Sequence, residues 1–373
     1  MEFTITQISL HEIALPLVEP FRTAHGDTFV RRLLLTELVD ADGVRVLGEC
    51  SALETPDYLP ETIDSAWTAI RDHLAPAILG KTFASPAEVS AALEVTIPSH
   101  NMAKAAIEMP TWALAAVKEG VSLSEFIGGT RKMVETGLAI GLQDSPSVLA
   151  AKVEGAFAQG YARIKMKIKP GADLEYIEAA CMAADGGAHI QVDANCSYTL
   201  EDVEQLREMD AFGLMLLEQP LAWENLEAHA ALQREIETPI SLDESLDGLE
   251  SVRNMIRLQA GKIVCLKPGR VGGFTTALQI HDLCREKGIP LWCGGMLESG
   301  IGRAYNVALA SKPGFTLPGD LSPSRRYWAE DIVSPEWVMN EGGEVGVPVE
   351  LPGLGVEVDR DRIRELTLRS EVV

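Results

Sequence analysis

A regular spacing constrains this chain more than any other feature of its sequence. Lys167, Asp193, Glu218, Asp243, Lys267 and Gly294 each close a short apolar run, and they are separated by 26, 25, 25, 24 and 27 residues. About 25 residues make one strand, one helix and two loops, so the interval predicts repeated βα units. The runs are rich in β-branched residues and alternate with segments of helical periodicity. Eight strands are expected, at 134–141, 162–168, 189–193, 214–218, 239–243, 263–267, 290–293 and 315–318. The predicted fold class is α/β: a (β/α)7β TIM-type barrel with an α+β amino-terminal capping domain that the carboxyl-terminal tail completes.

A barrel needs about 250 residues, and the 373 present leave room for a second domain. Residues 1–125 read as the α+β cap, with strands at 2–16, 29–39 and 44–50 followed by helices around 61–73 and 103–120. The barrel is assigned to 126–320. The tail, 321–373, is rich in Pro and Gly, has an extended run at 355–359, and is expected to return to the cap.

Charge narrows the partners. With 32 basic and 55 acidic residues the formal charge is −23, a field that repels nucleic acid and anionic membrane surfaces. A negatively charged substrate then needs local cations or a metal ion to reverse the potential in its site. The longest apolar stretch, 211–223, is broken by Glu218, Gln219 and Pro220, too short and too polar to span a bilayer. The first residues lack the basic and apolar regions of a secretory signal, so a cytoplasmic location is expected. Six cysteines without a C-x-x-C pair read as reduced core residues rather than a zinc site or disulfide framework. The expected partners are a small carboxylate substrate and further copies of the chain in a homo-oligomer.

In a closed parallel barrel the carboxyl ends of the strands share one face. A single carboxylate at such an end is more often a solvated loop residue or a helix cap than a ligand. Asp193, Glu218 and Asp243 end three successive strands, however, and three adjacent carboxylates repel one another unless a cation sits among them. Oxygen-only ligation suits Mg²⁺ or Mn²⁺, one per site. Lys167 and Lys267 end strands four places apart in a ring of eight, so their amines face each other across the cavity. Lys165 points inward beside Lys167, and each ammonium raises the cost of charging the other, which moves a lysine toward the working range of a general base. A buried ion-pair role for Lys165 is equally open. Glu244 would replace Asp243 as a ligand only if the register slipped by one, and alternation turns it away from the cavity. Asn195 reads either as turn chemistry or as a contact to substrate or lysine.

The motifs Lys165-Met166-Lys167, Asp193-Ala194-Asn195, Glu218-Gln219-Pro220, Asp243-Glu244-Ser245 and Lys267-Pro268-Gly269-Arg270-Val271-Gly272-Gly273 resemble the signature of the enolase superfamily. The two opposed lysines resemble its muconate-lactonizing subgroup, because the place after the seventh strand holds Cys293-Gly294-Gly295 and no histidine. A finer resemblance, to the o-succinylbenzoate synthase and N-succinylamino acid racemase family, rests on the run from Gly294 to Arg303, on Arg270, on Phe21-Arg22-Thr23 and on the segment from Glu49 to Tyr58. It covers nearly the whole chain. It implies Lys167 as the proton-abstracting base and Lys267 as the opposite acid, base or cationic partner. Lys165, Asn195 and Arg270 are supporting residues, and Gly294, Gly295, Met296, Phe21 and Tyr58 are substrate contacts.

The implied activity is metal-dependent removal of the proton next to a carboxylate. The leading reading is dehydration to o-succinylbenzoate, a step in menaquinone formation, and the second is racemisation of N-succinyl or other N-acyl amino acids. Dipeptide epimerisation, muconate cycloisomerisation and a non-catalytic metal-binding homologue stand behind these. A metal-free Schiff-base aldolase would leave the three carboxylates unexplained. Ala139 stands where the family pattern leads us to expect serine, His25-Gly26 where an aromatic is more usual, and Ala113 where an acid follows the tryptophan.

Overall fold

The computed structural model describes residues 2–23 and 26–373, so His25 lies outside the described residues. The chain opens with antiparallel strands β1 (Phe3–Thr23), β2 (Gly26–Asp40) and β3 (Arg45–Cys50). Helices α1 (Ile63–Ala69) and α2 (Asn101–Glu119) belong to the same cap, and the close approach of α2 to the sheet is written into three residues. Pro110 lies inside α2 and offers no N–H to the Ala106 carbonyl one turn back. The Thr36 hydroxyl on β2 donates to that carbonyl instead, which keeps a buried backbone acceptor satisfied. A Cβ at Gly48 would stand 2.5 Å from both Ala106 O and Pro110 Cγ, so only glycine admits the helix there.

Among the described residues seven strands form one parallel sheet in chain order: β4 (Gly137–Ile140), β5 (Arg163–Lys167), β6 (Ile190–Asp193), β7 (Leu216–Glu218), β8 (Ile240–Leu242), β9 (Ile263–Leu266) and β10 (Leu291–Cys293). Helices α3 (Pro146–Ala158), α4 (Leu174–Ala183), α5 (Val203–Glu208), α6 (Leu226–Glu235), α7 (Leu249–Leu258), α8 (Phe274–Lys287) and α9 (Gly300–Ala310) follow them in alternation. The α/β expectation holds, with two corrections to the strands. The segment expected at 134–141 divides at Thr136: Met133–Glu135 pairs antiparallel with Glu344–Gly346, and only β4 enters the parallel sheet. Residues 315–318 form no regular strand. Pro313 and Pro318 bracket them, and each lacks a ladder N–H.

The ring nonetheless closes through single bonds at this segment. Thr316 N donates to Leu291 O at 3.0 Å and Asp320 N to Cys293 O at 2.8 Å, while Gly137 N donates to Gly319 O at 2.7 Å. The last strand, β11 (Thr367–Val372), pairs antiparallel with β1, so the tail joins the cap sheet. No helix is long and apolar enough to cross a membrane among the described residues.

Two carboxylates of the cap fasten it to the barrel by capping barrel helices. Glu108 of α2 accepts from Phe274 N at 2.7 Å and Thr275 N at 2.8 Å, the first turn of α8. Gly273 precedes that helix at φ +114°, and a Cβ there would collide with the Glu108 carboxylate, which accounts for one glycine of the Val271-Gly272-Gly273 motif. Glu49 of β3 accepts from Ser299 N at 3.2 Å and Gly302 N at 3.3 Å at the start of α9, and from the Ser299 hydroxyl. The carboxyl oxygens thereby accept from N–H groups that a helix amino terminus leaves unpaired.

Candidate active site

Strand alternation sends Arg163, Lys165 and Lys167 of β5 to one face, together with Gln191 and Asp193 of β6. Backbone pairing then sets neighbours side by side: Lys167 with Asp193, Asp193 with Glu218, and Glu218 with Ser241. The three acids at successive strand ends are all buried, Glu218 at 0% and Asp193 and Asp243 at 1% exposure.

Lys165 stands among carboxylates. Its Nζ lies 2.9 Å from Asp193 Oδ2, 2.9 Å from Glu218 and 3.5 Å from Asp320 Oδ2. Burial works against its charge, but Asp193, Glu218 and Asp320 outweigh that and hold the amine well above the ordinary lysine range. Of the two readings of Lys165, the geometry has the buried ion pair and not a lowered pKa: its three partners stand at strand ends, one of which, Asp320, follows the irregular eighth segment. Asp320 is itself buried yet held down to about 2 by Lys165 and Arg163, and Arg163 Nη2 lies 2.8 Å from its Oδ1. Burial pushes Asp193 up and the two lysines, 165 and 167, reverse that to well below the usual carboxylate range. Burial, with Asp193 beside it, raises Glu218.

Lys167 Nζ donates to Asp193 Oδ2 at 2.6 Å and to Asn195 Oδ1 at 2.5 Å. Asn195 is thus a lysine partner rather than bare turn chemistry. Across the barrel Lys267 Nζ donates to Asp243 Oδ2 at 2.7 Å and the Tyr58 hydroxyl at 3.1 Å, and stands 4.7 Å from the centre of the Tyr58 ring. Burial lowers Lys267, and acidic groups around it, Tyr58 and Cys265 before Glu218 and Glu244, raise it well above the ordinary value. Arg270 is not at the cavity. Its guanidinium is buried behind Asp243, paired with that carboxylate and donating to Leu246 O at 2.9 Å and Cys265 O at 2.7 Å. Glu244 turns from Asp243 toward Asn195, whose Nδ2 donates to its Oε1 at 2.9 Å.

A cavity of about 520 Å³ opens over these ends, bounded by cap and barrel together. Lys165, Lys167, Asn195, Lys267, Gly295 and Met296 line it from below, and Phe21, Leu53 and Tyr58 from the cap. That volume suits a small organic ligand. Gly294 is not among the residues that line it. A Cβ there would stand 2.7 Å from Lys267 Cε and 2.6 Å from Cys265 Sγ, so the glycine makes room for the lysine stem. Asp320, Arg31 and Arg303 also line the cavity. The 25-residue interval stops short of Asp320, and nothing in the spacing marks the two arginines.

Of the three expected ligands, Glu218 and Asp243 come together as hard oxygen donors: their oxygens lie within 4.8 Å of each other and of Cys265 Sγ, a group that does not include Asp193. Burial holds the Cys265 thiol well above its ordinary pKa, so it stays a neutral thiol and leaves ligation to the carboxylates. In this structure the carboxylates are paired with Lys165, Lys167, Lys267 and Arg270.

Residues 5–128 match the mandelate racemase / muconate lactonizing enzyme N-terminal domain, and residues 148–362 the enolase C-terminal domain-like family. An o-succinylbenzoate synthase of Geobacillus stearothermophilus is 42% identical over 373 residues, covering 100% of this chain and 98% of its own. An N-succinylamino acid racemase of an Amycolatopsis species is 42% identical over 363 residues, covering 97% of each chain. The crystal structure of an enolase-superfamily member from Listeria innocua superposes with a TM-score of 0.95 at 35% identity, covering 100% of this chain and 99% of the other.

Proposed function

The chain belongs to the mandelate racemase / muconate lactonizing enzyme family of the enolase superfamily, and we propose that it removes the proton next to a substrate carboxylate with a bound Mg²⁺ or Mn²⁺, in the first place as an o-succinylbenzoate synthase. The observation that carries this reading is the pair of amines, Lys167 and Lys267, lining one cavity above three buried carboxylates. Asp193, Glu218 and Asp243 would hold the ion. When bound, it supplies positive charge against the second negative charge that builds on the substrate carboxylate as the proton leaves, a contribution of several kcal/mol.

Lys167 gives one N–H each to Asp193 and Asn195, which in its neutral form leaves the lone pair for the α-proton. In the dehydration it takes that proton and returns it to the departing hydroxyl, so that water leaves and the ring becomes aromatic. Lys267, tied to Asp243 and Tyr58, places a positive charge on the opposite side of the developing anion. Tyr58 and Phe21 close the cavity from the cap and exclude water from the reacting centre.

A second reading, racemisation of N-succinylamino acids, is favoured by the symmetry of the site, since Lys267 also presents an amine to the cavity. Each lysine would then serve one face of the α-carbon, one taking the proton and the other supplying it. Both chemistries need the same α-proton transfer. The test is proton NMR of N-succinyl-phenylalanine in D₂O with Mg²⁺, alongside dehydration of the cyclohexadiene-carboxylate substrate. We expect dehydration to disappear in Lys167→Ala, and α-proton loss to depend on the ion and on a lysine. Neither reaction, with folded protein and bound ion, would rule the reading out.

A further inference from the structure

Glu244 is a buried carboxylate outside the expected set of ligands and bases. It is 2% exposed. Its Oε1 accepts from Asn195 Nδ2 at 2.9 Å, and its Oε2 has no hydrogen-bond partner among the described residues. Burying half a carboxylate without a partner is destabilising, and such a group is retained where it serves a purpose other than stability. The backbone beside it is also strained. Asn195 and Cys196 are consecutive non-glycine residues in the left-handed region, at φ 41° and 62°, a conformation that side chains disfavour and that clusters at working sites. That turn, together with the bond from Asn195 N to Asp193 Oδ1 at 3.0 Å, aims the Asn195 amide between Glu244 and Lys167.

An amide has one end that only donates and one that only accepts. With Glu244 accepting from Nδ2, Oδ1 is left to face Lys167, where it accepts from Nζ at 2.5 Å. Were the amide reversed, an N–H would point at the amine and compete for its lone pair. We propose that Glu244 is a positioning residue that acts through Asn195, fixing which end of the amide Lys167 meets and so where the lysine lone pair points. The inference rests on the proton-transfer reading above. The hydrogen-bonded relay lies on one side of the site: Lys267 is held by Asp243 and Tyr58, and Glu244 reaches it only as a nearby acidic group.

That one-sidedness supplies the test. With Mg²⁺ in D₂O, α-proton exchange is followed separately for the two enantiomers of N-succinyl-phenylalanine, and the Lys167 face is defined as the one whose exchange Lys167→Ala abolishes. Glu244→Leu is expected to slow exchange on that face by about tenfold or more, through kcat rather than KM, and to change the other face by less than about threefold. Glu244→Gln keeps an acceptor for Asn195 and should recover most of the loss. The double variant Asn195→Ala with Glu244→Leu should be no slower than Asn195→Ala alone, as for two members of one relay. If Glu244→Leu fails to fold, Glu244→Ser carries the same comparison with less bulk. Equal slowing on both faces, no slowing on either, or additive losses in the double variant would overturn the inference while leaving the proton-transfer reading intact. Absence of exchange on both faces in the wild type would overturn the racemase reading, and this inference with it.

Discussion

Gly294→Ala tests how Lys267 is held in place. The added methyl would stand 2.6 Å from Cys265 Sγ, 2.7 Å from Lys267 Cε and 2.9 Å from Lys267 Cγ, whereas carbon contacts settle at about 3.5–4.0 Å. Cys265 is fully buried within its strand, while the lysine stem ends in the cavity, so the stem is what moves, by roughly 1 Å to restore contact distance. A displacement of about 1 Å in a reacting group costs on the order of 100-fold in rate, or about 2.7 kcal/mol of transition-state stabilisation. The accompanying loss of stability from overpacking is about 1–3 kcal/mol. The assay is enantiomer-resolved α-proton exchange in D₂O, with denaturant unfolding run in parallel. The face that depends on Lys267 should slow about 100-fold while the face that depends on Lys167 stays close to wild type. Unchanged exchange on the Lys267 face would refute the reasoning, since the lysine would then have accommodated the methyl without leaving its working position.

Three further outcomes follow from the same geometry. Chelation of divalent ions should abolish exchange and lower the melting temperature, both restored by Mg²⁺, and Asp243→Asn should raise the Mg²⁺ concentration needed; a melting temperature indifferent to Mg²⁺ would count against the site. Burial pushes Glu49 from 4.5 up to about 8, so between those values the unfolded chain is ionised there and the folded one is not. The stability Glu49 contributes is complete below about 4.5 and is lost as pH rises through about 8, at up to about 1.4 kcal/mol per pH unit. Glu49→Gln should flatten that slope in denaturant titrations across the range, and an unaltered slope would contradict it. Finally, Arg270→Met removes one of the two buried cations paired with Asp243, Lys267 being the other, and should lower the unfolding free energy by about 1–3 kcal/mol in the metal-free protein, with less effect once Mg²⁺ is bound. A loss of the same size with and without the ion would argue against Asp243 as a ligand.

The elements that carry a period were legible in the sequence, and those that break it were not. Lys167, Asp193, Glu218, Asp243 and Lys267 converge because a parallel barrel brings equivalent strand ends to one face, and that is a property of spacing. Asp320 follows a segment in which prolines suppress regular pairing, so no strand end announced it, yet it lies against Lys165 and adds to Asp193 and Glu218 in raising that lysine. Glu244 was set aside because alternation turns it from the cavity. It does turn away, and meets Asn195 there, through a left-handed turn that no hydrophobic pattern encodes. Gly294 was read for ligand access, and the structure adds a constraint from Cys265 and the Lys267 stem, which are distant in sequence. Long-range packing of this sort has no local signature.

The two helix caps supplied across the domain boundary bear on how such proteins can be recombined. Glu49 and Glu108 lie in the first third of the chain, while the N–H groups they serve, at Ser299, Gly302, Phe274 and Thr275, lie in the last third. A crossover anywhere between them draws the acid from one parent and its helix start from the other. Gly273 sharpens the requirement, because it is kept small by the incoming Glu108 carboxylate, and Gly302 is hemmed in by Glu49 together with the barrel's own Glu298. Chimeras that exchange caps to alter which substrate is admitted should therefore be screened first for parents sharing both acids and both glycines, ahead of any matching of the cavity walls.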